Sequence, residues 1–308
     1  MFKKKCIFET SRKIKIMNKT IIVTCLLYLI VSCNSEESLE KKSVDVDTQT
    51  EQTDDEPKNE VVYSIPSPNE QYDLLYFLGG EVDPTYVNDL SRVSNYTTTK
   101  QKALNFGVYM SDAAYMMKFN QGKKVFLDYV STLDELGRSL DVSKVYGDDL
   151  LQKVEEIGAD SDKLFELSSD NYLKVFDNMI ENDKGKELSL MLSGAWIETM
   201  HILFKSAGGF DKDFDIQEAI IEQRYILDNL IGFVSEYKGE QEVDETLDKL
   251  NKIKKEFENL DCTQASVEVK DQGDNSFVLD GGESCLFTKE SYSSLENLIK
   301  ETRDSIIL

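Results

Sequence analysis

The sequence predicts a mainly α fold, a multi-helix bundle of about seven helices with one small β-hairpin near the C-terminus. Three observations carry that expectation. Apolar residues recur at helical spacing from residue 67 to the end. Capping signals stand before these stripes and Gly-Gly pairs close two of them. A single stretch, residues 266–282, alternates instead.

Taken in order, Ser67-Pro68-Asn69-Glu70 opens the first helix. Ser67 caps, Pro68 suits the first turn, and Glu70 completes a capping box. Gly79-Gly80 ends it with a left-handed stop. Thr98 with Gln101 forms a second box before the most apolar segment, Ala103 to Phe119. Beyond Gly122, residues Phe126, Val130, Leu133 and Leu136 share one helical face. Leu150, Leu151 and Val154 mark a short helix, and Tyr172 to Ile180 another. Lys186 to Lys205 is long and apolar and stops at Gly208-Gly209. Asp215 with Glu218 is expected to open the next helix, which runs to Val234. Val243 to Leu260 stripe a charged helix, and Tyr292, Leu295, Ile299 and Ile306 stripe the last. The exception, "SVEVKDQGDNSFVLDGG", centres on Gln272-Gly273-Asp274-Asn275 and reads as a hairpin. No tandem repeat of fixed period is present, which argues against a solenoid.

Two of these helices are expected to pack closely. Gly107, Ser111 and Ala114 form a row of small residues on a segment apolar on nearly every face. Ser189, Ser193 and Gly194 offer a matching surface on "LSLMLSGAWIETMHILF", residues 188–204.

The N-terminal region reads differently. Basic residues (Lys3 to Lys5, Arg12 to Lys15, Lys19) precede an apolar core eleven residues long, Ile21 to Val31. A bilayer-spanning helix needs about 20 such residues, whereas a basic flank with a short apolar core is a secretory signal. Its ending, Ile30-Val31-Ser32-Cys33, resembles the lipobox of bacterial lipoproteins. That resemblance implies a signal peptide over residues 1–32, cleavage before Cys33, and acylation of Cys33 by diacylglyceryl and further chains such as palmitate. Two or more buried chains anchor a protein stably. Met17 is an alternative start. Asn34-Ser35-Glu36-Glu37 resembles the surface-export signal of Bacteroidota lipoproteins. The expected address is the outer membrane, at the cell surface or the periplasmic face.

Residues 33–60 comprise the lipidated cysteine and an acidic tether too poor in apolar residues to fold. As a coil, residues 34–60 reach about 30 Å. Residues 61–308 are long enough for one helical domain. The whole chain holds 35 basic and 58 acidic residues, of which residues 1–32 take seven and one, leaving 28 and 57 and a formal net charge of −29. Such a chain repels phosphate backbones, so nucleic acid is excluded as a partner.

Past the signal and Cys33, only Cys262 and Cys285 remain. An extracytoplasmic chain with two cysteines suggests a disulfide. The two lie 11.5 positions either side of the turn centre, so a symmetric register brings them together at the hairpin's base. Closing that loop would stabilise by about 3 kcal/mol. Two free buried thiols are the alternative.

Asp112 and Glu198 fall inside the two apolar segments, and His201, the single histidine, lies one turn after Glu198. A buried charge must be paired or neutralised. The three residues make either a polar core cluster able to hold a small ligand or three separately satisfied groups. Glu198-Thr199-Met200-His201 is half of a di-iron pattern, but one histidine cannot supply the other half, nor a multi-histidine zinc site. Residues 271–276 start like a calcium loop but lack the required Gly and Glu. The methionines read as core filler, and Trp196 reads as core. No Walker, Rossmann or G-x-S-x-G motif is present. No metal and no cofactor is expected.

Four stretches taken together, residues 63–75, 102–115, 194–202 and 286–307, resemble a group of uncharacterised helical lipoproteins of Bacteroidota. Where that group tends to show Gly-Val-Tyr-Gly-Ala-Asp, this chain has Met110 and Ser111 before Asp112. The resemblance implies an all-helical fold and a lipid-anchored address but carries no reaction. The expectation is a non-enzymatic interaction or accessory module with a protein partner at the outer membrane.

Overall fold

The structure, a computed structural model, describes residues 63–273 and 276–308. The signal segment and the tether lie outside the described residues. So do Asp274 and Asn275 at the hairpin turn.

Nine α-helices and one two-stranded sheet make up the described chain. They are α1 (Pro68–Phe77), α2 (Thr99–Lys118), α3 (Gly122–Gly137), α4 (Asp148–Ile157), α5 (Ser161–Glu181), α6 (Gly185–Ala207), α7 (Phe214–Ser235), α8 (Gln241–Phe257) and α9 (Lys289–Ile307), with β1 (Asp261–Gly273) and β2 (Ser276–Leu286) between α8 and α9. The mainly helical class and its C-terminal hairpin are as expected. The count is nine rather than about seven because every segment read as helical, the ten-residue α1 and α4 included, is a separate helix. Each of these two buries an apolar pair, Tyr72 and Leu75 or Leu150 and Val154.

Local capping chemistry sets several helix starts. Ser67 with Glu70, and Thr98 with Gln101, form reciprocal capping boxes. Two starts differ from the sequence reading. α7 is capped by Asp213, whose carboxylate accepts from the Ile216 amide at 3.0 Å, and Asp215 lies inside the first turn. α5 begins at Ser161, well before Tyr172, because Asp160 caps it and Leu164 and Leu167 extend its buried face. Both cases follow one rule: an acid just outside the helix satisfies amides that have no partner within it. α6 ends at Gly208, whose φ of +68° is the left-handed stop.

The compact body comprises Val61–Val267 and Gly281–Leu308. At the body's centre α2 and α6 pack along their length. Residues 103–117 of α2 and 188–204 of α6 are buried without interruption. Helices apolar all round need neighbours on every side. α1, α3 and α5 cover α2, while α7 and α9 cover α6. α8 bridges α7 and α9. No helix among the described residues is long and apolar enough to cross a membrane.

Two glycines permit the α2–α6 approach. A methyl group on Gly107 would lie 1.9 Å from the Met191 carbonyl oxygen, and one on Gly194 would lie 2.0 Å from the Leu104 carbonyl oxygen. Both obstacles are backbone, so neither can swing aside. Ser111, in the same row, bonds Tyr72 Oη at 2.7 Å and Thr199 Oγ1 at 3.0 Å. Gly107→Ala or Gly194→Ala is expected to destabilise by about 3 kcal/mol and to lower Tm by roughly 6–12 °C. Thermal unfolding followed by circular dichroism measures this, and an unchanged Tm would contradict the close contact.

Candidate functional site

The α2–α6 seam carries two of the three predicted polar residues and places them against each other. Asp112 and Glu198 are both 0% exposed, and the charge of Glu198 acts directly on the Asp112 carboxyl. Asp112 Oδ2 accepts from the Asn88 amide at 3.0 Å. Its Oδ1 meets no N–H donor among the described residues.

Arg303 from α9 completes the cluster. Its Nε and Nη2 donate to Glu198 Oε2 and Oε1 at 2.6 and 2.7 Å, a two-point pairing of planar groups. Nη2 also donates to the Tyr86 carbonyl at 3.2 Å. Arg303 is 7% exposed. The sequence reading missed it, although a signal was present. Along α9 the buried positions Tyr292, Leu295, Ile299 and Ile306 leave a gap, and Arg303 stands four residues after Ile299 on that stripe. An arginine in an apolar stripe requires a buried acid.

Electrostatics assign the proton. Burial pushes the Asp112 carboxyl well above its ordinary value, and the charge of Glu198 raises it further, against an opposing pull from Arg303. Both effects favour the protonated, neutral form of Asp112. Oδ1, buried and without a hydrogen-bond partner among the described residues, is the oxygen able to carry that proton. Arg303, despite burial, is held above its usual value by Glu198. The cluster sums to zero charge, with one neutral acid, one carboxylate and one guanidinium, which is how a core accommodates such groups.

His201 does not join it. The imidazole is 8% exposed and faces Arg303, Lys205, Lys300 and Asp304. Burial first, and these cations second, lower its pKa to about 3, so it is neutral. The expected three-residue cluster is therefore corrected to Asp112, Glu198 and Arg303. A ligand site there would need a cavity. The two described beside the seam are small, about 20 Å³ next to Met110 and Ala113 and about 10 Å³ next to Ala195 and Thr199, while the larger grooves lie elsewhere. One of about 680 Å³ is lined by Lys153, Asn171, Lys174 and Asp177. Another, of about 560 Å³, is lined by Arg224, Tyr225, Phe257 and Cys262.

The remaining candidates resolve simply. Met110, Met116, Met117, Met179, Met191 and Met200 are buried. Trp196 is 5% exposed and donates its indole N–H to Gln223 Oε1 at 3.2 Å. Cys262 and Cys285 are joined in a disulfide. Together with Glu283 they form the one close group of metal-ligating types found among the described residues. While oxidised, that pair supplies no thiolate to a metal. No protein-family model, curated protein or solved structure matches this chain.

Two sets of variants test the cluster. Arg303→Met strands a buried carboxylate and is expected to cost about 3–5 kcal/mol in chemical denaturation. Asp112→Asn keeps a neutral group that still donates to Glu198 and accepts from Asn88. It is expected to stay within about 1 kcal/mol of the native protein at pH 7. Equal losses in both would contradict the proton assignment.

The pH dependence has two opposite parts. For Asp112, whose ordinary value is 3.8, the folded state retains a proton that the unfolded chain releases. Its contribution to stability is therefore complete below about 3.8 and is lost as pH rises toward the elevated folded value. For His201 the unfolded chain takes a proton below 6.5, while the folded state resists until about 3, so stability falls as pH drops through that window. Asp112→Asn is expected to remove the first slope and His201→Gln the second, as read from urea midpoints between pH 4 and 8.

Proposed function

We propose that this chain is a membrane-anchored bacterial lipoprotein whose helical domain is a non-enzymatic interaction or accessory module at the outer membrane. The observation that carries the reading is the eleven-residue apolar run that ends in Ile30-Val31-Ser32-Cys33 and turns acidic at once. Acyl chains on Cys33 take the place of a spanning helix, and the acidic tether holds the domain clear of the lipid.

Two features of the folded part support the accessory role. Glu198 is paired with Arg303 inside the core and Asp112 is buried beside them, which makes these acids elements of the fold rather than groups presented to a substrate. On α1, Leu74, Tyr76 and Phe77 are 42, 54 and 85% exposed, an apolar surface of the kind that mediates association.

In its own cells, the protein is expected to incorporate labelled palmitate and to sediment with outer membranes. Cys33→Ser should abolish both. Persistence of either in Cys33→Ser removes the lipid anchor. Extraction in mild detergent should recover a stoichiometric protein partner, lost when residues 61–308 are deleted and Cys33 is kept. A monomer without a partner would remove the accessory role while leaving the anchor intact.

A further inference from the structure

The environment of the Cys262–Cys285 disulfide is asymmetric. Cys262 is exposed and forms part of the wall of the 560 Å³ groove beside α7 and α8. Cys285 is 8% exposed. Arg224 of α7 reaches both sulfurs. Its Nη1 contacts Cys285 Sγ and lies 3.8 Å from Cys262 Sγ. Nη2 pairs with Glu283 at 2.8 Å and with the Tyr225 hydroxyl, and the guanidinium carbon stands 4.5 Å from the centre of the Tyr225 ring. Nε is buried and has no hydrogen-bond partner among the described residues.

A disulfide sulfur is neutral and a weak acceptor. A partly buried guanidinium therefore gains little from it. The same nitrogen against a thiolate makes a charge-assisted bond. A group that interacts better with one of two states shifts the balance toward that state. Glu283 opposes a nearby thiolate, but Nη2 of the same guanidinium already neutralises it. Asp228 and Lys254, also on this groove, pair with each other at 2.6 Å. The remaining acids of the groove wall, Glu258 and Asp261, add some repulsion. Nη1 is the cation nearest the sulfurs.

We propose that Cys262–Cys285 is a thiol-exchange site, reduced by a dithiol, with Cys262 as the sulfur attacked and Cys285 as the leaving sulfur. One thiolate of the reductant enters by the groove and bonds to Cys262 Sγ. The Cys262–Cys285 bond breaks, and Cys285 departs with the electron pair as a thiolate held by Arg224 Nη1. The reductant's second thiol then attacks its own sulfur in the mixed disulfide, releasing Cys262, which takes up the proton from that thiol. Two electrons enter the protein, and the reductant leaves as a disulfide. Stabilising the leaving thiolate speeds the first step, and exposure decides which sulfur is attacked. This site is independent of the lipid anchor.

The test uses the full chain under native conditions. Dithiothreitol reduction is timed by alkylation with iodoacetamide and peptide mapping, which confines the readout to these two cysteines. Arg224→Gln is expected to slow reduction roughly tenfold and Arg224→Lys to recover part of the rate. Glutathione, whose mixed disulfide carries no second thiol to release it intramolecularly, should be found at early times on Cys262, with Cys285 carrying the alkyl group. Three results would overturn the proposal: an equal rate in Arg224→Gln, glutathione on Cys285, or cysteines in the native protein that react only as circular dichroism shows unfolding. The trapping experiment needs no variant, so it remains decisive if Arg224→Gln folds poorly.

Discussion

Most of the structure rests on how closely α2 and α6 approach. Helices separated by ordinary side chains keep their axes 8–10 Å apart. Here Gly107 meets the Met191 carbonyl and Gly194 meets the Leu104 carbonyl, so backbone touches backbone. Such contact demands glycine on both sides and fixes the register of one helix on the other. The register then brings Asp112 opposite Glu198 and Ser111 opposite Thr199. A shift of one turn would leave each polar group facing an apolar wall.

From that register the rest of the core follows as a problem of charge. Two acids at one buried seam cannot both ionise, so one keeps its proton and the other needs a cation. Arg303 supplies it from the last helix, and the end of that helix is held by polar contacts on the same side. Asn105 Nδ2 donates to the Ile306 carbonyl at 2.9 Å, while Arg92 Nη1 and Tyr96 Oη donate to the Ile307 carbonyl at 3.0 and 3.3 Å. These carbonyls have no acceptor role left inside the helix. The segment between α1 and α2 supplies the Asn88 amide and the Tyr86 carbonyl. An otherwise irregular connection is thereby tied to the bundle.

The disulfide follows a different principle. Where the core cluster cancels its charge, Arg224 leaves one face of a guanidinium against sulfur. The two sites share arginine as the key residue for one reason. Its planar fork can pair with a carboxylate and still donate to a further group. Arg303 holds Glu198 and the Tyr86 carbonyl, and Arg224 holds Glu283 while Nη1 lies against sulfur.

Much of this was legible in the sequence. Capping boxes at Ser67 and Thr98 depend on residues three positions apart, and the stop at Gly208 depends on one residue's backbone freedom. Both are local, so both appear in the linear text. The small-residue rows predicted the α2–α6 pair for the same reason: a helix presents positions four apart on one side. The start of α7 was misassigned because Asp215, two residues after the true cap Asp213, is also an acid of capping type. The start of α5 was placed late because its stripe was read only from Tyr172. His201 was misplaced because three residues along a helix is also a rotation. The charges that act on the imidazole are Arg303, Lys300 and Asp304 of α9 and Lys205 of its own helix. Arg303 was missed because its partner is 105 residues away, and no local pattern encodes that distance.

The sequence by itself determined the helical class, the central pair, the presence of buried acids and the need for something to neutralise them, since these follow from apolar periodicity and the cost of burying charge. Only the tertiary structure decided which cation answers, which acid keeps its proton, that His201 stands apart, and that Arg224 lies against the disulfide. Those outcomes depend on which faces of distant helices meet, and long-range packing alone sets that.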